Sequence, residues 1–490
     1  ISMRSVLTIG AAILLASCSA TEGPRSNSAI TGDASFLELI DDARLAVANG
    51  NLAEAGQFYD QAREIEPENP GLWVDIARLR FRGGEHLIAI EAADYALELN
   101  PEYAPALLLR AQLVRDANGL AESLVWFEAA ASTDPRNPEI LAEYAATLGD
   151  LGRYQDMLAV VRELAKFAPN YPQVHYLQAV LAARAGDPVL AGTLLNRSGL
   201  ASNGVPSALM LDAVVDLQQG AADTAAETLE QLALRQPENM RVNELYARSL
   251  WLGGRDRAIV DQFGERAQRS DASPYLSMLV GRSLERMGER ERAVPFILAA
   301  REARDRGRIV LSNLGSMPEE TAQLRRLVAN GSTARARRDA ETLTDRFPQS
   351  GDMYALAGDT QLADDNAQGA LERYSVAAQV RRSWPLTRKI IDAYRSYDDD
   401  LAADVLLSRY IAGDPQNTAA LFLLAERSAE NEDWLRVAVL LDTAIALGAG
   451  NDLEVLTLRA AAAEALERDD EAARFEGLQR ELSPGAFVAR

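Results

Sequence analysis

Apolar and small residues recur along this chain at helical spacing, in amphipathic stretches separated by short polar or glycine-containing breaks. The stretch PGLWVDIARLRFRGGEHLIAIEAADYALELNPEY, Pro70 to Tyr103, holds two such patterns, one around Leu72 to Arg82 and one around Glu85 to Leu99. Gly83 and Gly84 lie between them, and glycine accepts a backbone reversal that side chains resist. Two antiparallel helices are therefore expected. Counted from Pro70, the fourth position is a large aromatic (Trp73), the eighth is small (Ala77), and the fifteenth is glycine (Gly84). Small residues return at Ala89 and Ala96. Helices approach closely only where one contributes almost no side chain, and Trp73 is placed to fill the space beside the alanines. Pro101 lacks the amide hydrogen a helix interior needs, so it ends this pair of helices and opens the next.

The pattern is periodic. Pro67, Pro101, Pro135 and Pro169 follow one another at intervals of 34 residues, and Pro237 lies two periods further on. In this register the units begin at Phe36, Pro70, Ala104, Pro138, Pro172, Pro206, Met240, Pro274, Met317, Gly351, Trp384, Thr418 and Leu453. The fifth, seventh and eleventh are degenerate, and Arg308 to Ser316 (RIVLSNLGS) is an insertion that the period does not absorb. The expected organisation is an array of eight repeats over 36–307, a joint at 308–316, and a partly degenerate array of five over 317–490. A single compact core rarely grows past about 250–300 residues, so a 490-residue chain with this periodicity is expected to stack its repeats, each on its neighbours.

The spacing of aromatic, small, glycine and proline positions resembles the tetratricopeptide repeat, a 34-residue helix-turn-helix unit. That resemblance implies an all-α fold, a right-handed superhelical solenoid of about thirteen repeats. It also implies that the first helix of each repeat lines a concave face, with positions two, five, nine, twelve and thirteen pointing into it. Carried over residue by residue, these positions give Arg44, Arg78 and Arg82 early in the chain, and Arg248, Arg282, Arg286 and Arg325 in repeats seven to nine. Between them the positions turn apolar or neutral, with Tyr176 and Met210, and near the carboxyl end they become acidic at Asp359, Asp392, Glu426 and Glu430. A row of arginines suits carboxylates. The expected partner is a protein that presents an acidic segment, and the expected role is a non-catalytic scaffold or adaptor.

Composition narrows the partner. The formal net charge of -22 argues against nucleic acid, which needs clustered cations to neutralise phosphates. The chemistry is thin. His86 is expected in a solvated turn and His175 on a helix face, with no His-Glu-x-x-His motif around either. Asp398-Asp399-Asp400 reads as a helix cap, and the DDNAQG stretch from Asp364 lacks the bidentate glutamate of a calcium loop. No glycine-rich phosphate loop occurs, so no cofactor, metal site or catalytic residue is expected.

The amino-terminal stretch reads as targeting rather than fold. Arg4, an apolar run from Val6 to Ala16, and Leu15-Ala16-Ser17-Cys18 resemble a bacterial lipoprotein signal, 1–17, with Cys18, the only cysteine in the chain, as the acylated residue. Residues 18–35 then read as a lipid-anchored flexible tether. The resemblance implies anchorage in the outer membrane on the periplasmic face, through the lipid alone, and service to pilus, secretion or exopolysaccharide-export assembly. The alternative is a regulator of a periplasmic enzyme or a carbohydrate-handling protein with unrecognised chemistry.

Overall fold

The structure, a computed structural model, describes residues 30–237, 239–269, 272–301 and 318–482. The signal stretch, Cys18, most of the tether and the 308–316 insertion lie outside the described residues. Within them the chain forms 26 α-helices and no strand, an all-α repeat solenoid of hairpins as the periodicity predicts. The first helices, here called A, start at Pro70, Ala104, Pro138, Pro172, Pro206, Met240, Pro274, Gly351, Trp384, Thr418 and Leu453, in the register read from the sequence. Only the first (Ala34) and ninth (Pro318) are displaced, by two residues and one. The local cause is capping. The Asn69 side chain accepts from the Gly71 and Leu72 amides, Asn137 does the same for Glu139 and Ile140, and a proline follows each at a position that needs no donor. Asp399 caps the helix Asp400–Gly413 by accepting from the Ala402 amide, as the acidic run suggests.

Packing follows the small positions. At the eighth position of their repeats, Ala43, Ala77, Ala111, Ala145, Ala179, Ala213 and Ala247 are all buried. Where glycine stands there instead, the second helix B supplies a larger neighbour: a Cβ on Gly358 would meet the Tyr374 ring at 2.4 Å, and one on Gly281 would meet Ile297 at 2.7 Å.

The fifteenth position sets the hairpin turn and requires the left-handed backbone region. Gly84 (φ 84°) represents the amino-terminal repeats, whereas repeats ten to thirteen place Asp365 (φ 56°), Asp398 (φ 58°), Glu432 (φ 57°) and Glu467 (φ 57°) there. A side chain in this region costs about 1–2 kcal/mol, partly offset by the greater freedom that glycine has in the unfolded chain. Glu432→Gly and Glu467→Gly are each expected to stabilise the carboxyl-terminal repeats by about 0.5–1 kcal/mol. Urea unfolding followed by hydrogen exchange in those repeats checks this, and an unchanged or lowered protection refutes it.

Contacts gather the described residues into two units. One takes repeats one to four with nine to eleven, and the other takes repeats five to eight with twelve and thirteen. Neighbour-only packing is therefore not the rule. Inside the first unit, repeats two and three pack on repeats nine to eleven. The Leu87 amide donates to the Gln349 carbonyl at 3.2 Å, the Arg382 amide donates to the Asp116 carbonyl at 2.8 Å, and Arg409 pairs with Glu122 at 3.2 Å. Gly119 approaches the backbone of Gly413 so closely that a Cβ would lie 3.5 Å from its Cα.

Candidate partner-binding surface

In repeats one and two, helices Ala34–Ala48 and Pro70–Arg82 bring the expected arginines beside one buried carboxylate. Arg44 Nε donates to Asp75 Oδ2 at 2.8 Å, and Asp75 is buried on the facing helix. Burial works against the Arg44 charge, but Asp75 more than offsets it and holds the guanidinium above its usual range. Burial also pushes the Tyr59 and Tyr103 hydroxyls up, with the Asp75 charge acting in the same direction. Arg82 donates to the Val47 carbonyl at 3.2 Å. Arg78 differs from both: it is exposed, and among the described residues it forms no ion pair or hydrogen bond.

The second group is engaged internally. Arg282 Nη1 pairs with Glu285 at 2.6 Å, while Arg286 lies 3.2 Å over the Trp251 ring centroid and 3.5 Å from Asp256. Arg248 is half-buried on Met240–Leu252 beside Tyr275, and Met210 packs against the same core. Tyr176, expected to line an open groove, is 4% exposed and sits in the interior. Arg325 belongs to the other unit from Arg248, Arg282 and Arg286, so no single unit contains the expected row of four.

The acidic end is also recast. Asp359 is fully buried, accepts from the Tyr374 hydroxyl at 2.8 Å, and pairs with Lys389 Nζ at 2.7 Å. Asp392 pairs with Arg388 and Glu430 with Arg427, both on their own helices. Helical spacing alone places an acid on a face; it does not tell which acids acquire a buried cation. The one available signal was that Lys389 is one of two lysines in an arginine-rich chain.

His86 is not a solvated turn residue. It opens the helix His86–Leu99, is buried, and its Nδ1 accepts from the Gly351 amide at 3.2 Å, which fixes the neutral tautomer with hydrogen on Nε2. Burial holds its pKa below the ordinary value; the Arg381 charge acts in the same sense and Asp352 against it. Because the folded pKa is depressed, stability from this contact is present above about pH 6.5 and is lost as the pH falls through the lowered value. The wild type is therefore expected to lose more stability than His86→Phe between pH 7.5 and 5. Equal slopes of urea midpoint against pH would refute this. His175 is likewise buried, on Pro172–Arg184. No group of three or more His, Cys, Asp or Glu side chains gathers to hold a metal among the described residues, and no described helix is long and apolar enough to cross a membrane.

The tetratricopeptide repeat family model matches residues 74–138 and 321–385, which fall in repeats two to three and nine to ten. No curated protein matches the sequence. Among solved structures, the chain is similar to a tetratricopeptide repeat protein from Parabacteroides merdae, with 18% identity, 54% of this chain and 92% of that one covered, and a TM-score of 0.28. It is also similar to PilW, a type IV pilus biogenesis factor, with 18% identity, 42% and 96% coverage and a TM-score of 0.35. The Cut9–Hcn1 assembly of the APC/C covers more of this chain, 91% against 87% of its own, at 13% identity and a TM-score of 0.34. Superpositions this loose carry no information about partners. Both matched segments share one register and one turn geometry with the hairpins around them, so these two segments are tetratricopeptide repeats within an all-α repeat solenoid.

Proposed function

We propose that this chain is a non-catalytic scaffold that holds protein partners at the bacterial outer membrane, tethered on the periplasmic side through an acylated Cys18. The repeat family supports protein binding in general. The observation that carries the surface assignment is Arg78, an exposed cation with no internal partner beside Arg44, Asp75, Tyr59 and Tyr103. An acidic segment would find there a free guanidinium with a rigid, hydrogen-bonded surround, and the half-buried Tyr103 ring adds contact area. The anchor is supported by the Leu15-Ala16-Ser17-Cys18 pattern. Service to an envelope assembly system is the reading that goes with that anchor.

The test is capture of partners from periplasm by the chain lacking residues 1–18, compared with the same chain carrying Arg78→Ala. The variant is expected to retain its helical signal and lose a salt-sensitive partner; charge-assisted hydrogen bonds contribute about 1.5–3 kcal/mol when well formed and less when exposed. Unchanged capture at low salt removes Arg78 from the surface. For the anchor, Cys18→Ala is expected to leave the membrane fraction, and a variant that still sediments with outer membranes refutes lipidation.

A further inference from the structure

The A-helix face of repeats seven and eight already has an occupant from the same chain. Arg241, Glu244 and Arg248 stand at positions two, five and nine of repeat seven, and Tyr275 stands at position two of repeat eight. Against both helices of repeat eight, Pro274–Arg286 and Arg290–Arg301, lies the helix Leu453–Ala465, which opens repeat thirteen, and its cap Asp452 feels the charge of Glu244 in repeat seven. Leu453 is buried in the same apolar cluster as Leu245, Met278, Leu279, Phe296 and Ile297, all more than 150 residues earlier in the chain. The remaining faces of that helix pack locally: Val455 and Ala462 join repeat twelve, and Leu456 and Ala460 join Phe475. Repeat thirteen therefore holds itself together through its neighbours and meets the repeat seven and eight core through Leu453 and the adjacent Asp452.

The charges at this contact oppose it. Asp452, which caps the helix, is pushed up to about 6 by burial, and both Glu454 and Glu244 push it the same way. Glu244 is raised by burial as well, against a hydrogen bond with Ser273 and the Arg241 charge. Arg241 and Arg248 form no ion pair within 4 Å among the described residues, and Arg241 is lowered by burial and by the Arg248 charge. An apolar anchor flanked by buried like charges makes an interface that holds and releases easily, because each carboxylate must keep its charge in poor solvent beside another.

We propose that the leading turn of repeat thirteen is a built-in competitor for the inner face of repeats seven and eight, and that the partner displacing it is a segment of the same acidic and apolar chemistry. This deepens the scaffold reading and rests on it for the identity of the outside partner. The intrachain competition itself does not need that partner, so its test can fail while the scaffold reading stands.

The probe is a fluorescein-labelled synthetic peptide of residues 449–460, titrated into the full chain at pH 7.5. Leu453→Asp unseats the turn, so the peptide is expected to bind that variant at least tenfold tighter than the wild type. Asp452→Asn removes one of the opposed charges from the resident turn alone and tightens its contact, so this variant is expected to bind the peptide several-fold more weakly than the wild type. Far-ultraviolet circular dichroism of each variant guards against unfolding. If Leu453→Asp loses helix, the opposite shift in Asp452→Asn still decides the matter. Equal peptide affinity in wild type and Asp452→Asn, or a tighter affinity in Asp452→Asn, overturns the proposal.

Discussion

Lys389→Met is expected to destabilise repeats ten and eleven by about 3–5 kcal/mol, the cost of stranding one partner of a buried ion pair. Asp359 is fully buried in the helix Gly351–Ala363, and Lys389 Nζ reaches it from the next repeat at 2.7 Å with only 13% of its side chain exposed. The Tyr374 hydroxyl also donates to it, and burial with the Asp359 charge holds that hydroxyl well above its ordinary pKa. Without the lysine, the carboxylate must either take a proton or hold its charge in the interior without its buried cation. Hydrogen exchange in Gly351–Ala363 and Ala367–Val380, which does not assume all-or-none unfolding of a repeat array, measures the loss. A change below about 1 kcal/mol would show that the pair is solvated in solution. Lys389→Met combined with Asp359→Leu should recover much of the loss, because an apolar pair of similar volume is often no worse than the ions it replaces.

Gly358→Ala, in the same repeat, is expected to cost about 1–3 kcal/mol although alanine is the better helix former by about 1 kcal/mol. The added methyl would stand 2.4 Å from the Tyr374 ring, and that ring is fully buried and tied to Asp359, so it cannot swing aside cheaply. Tyr374→Leu in the same chain makes room for the methyl but strands an acceptor lone pair of Asp359. The double variant should therefore be more stable than the sum of the two single losses predicts. Thermal unfolding of the four chains forms the cycle, and strict additivity would mean that the ring and the methyl do not meet.

Both predictions lie where local pattern and tertiary contact disagree. Gly358 occupies the small position of its repeat as the periodicity requires, yet the periodicity treats glycine and alanine there as interchangeable. The Tyr374 ring makes the difference, and it comes from the partner helix of the same hairpin. Asp359 falls one residue later, at a position read as facing a groove, and it turns inward because Lys389 is one repeat away to receive it. Tyr176 fails the open-groove reading for the same kind of reason: the spacing puts it on the A-helix face, and the surrounding packing buries it.

The helix starts, the turn at the fifteenth position and the buried small residues were legible in the sequence. Each is decided within a few dozen residues by capping, by the left-handed backbone and by close helix approach, and each leaves a mark at a fixed spacing. The position of Gly84 and the proline ladder suffice for that much. Only the tertiary structure decided that His86 meets Gly351, that Asp116 meets Arg382, and that Leu453 enters the core of repeats six to eight. Small rotations from one repeat to the next accumulate over many hairpins, so contacts hundreds of residues apart depend on a sum that no single window of sequence contains.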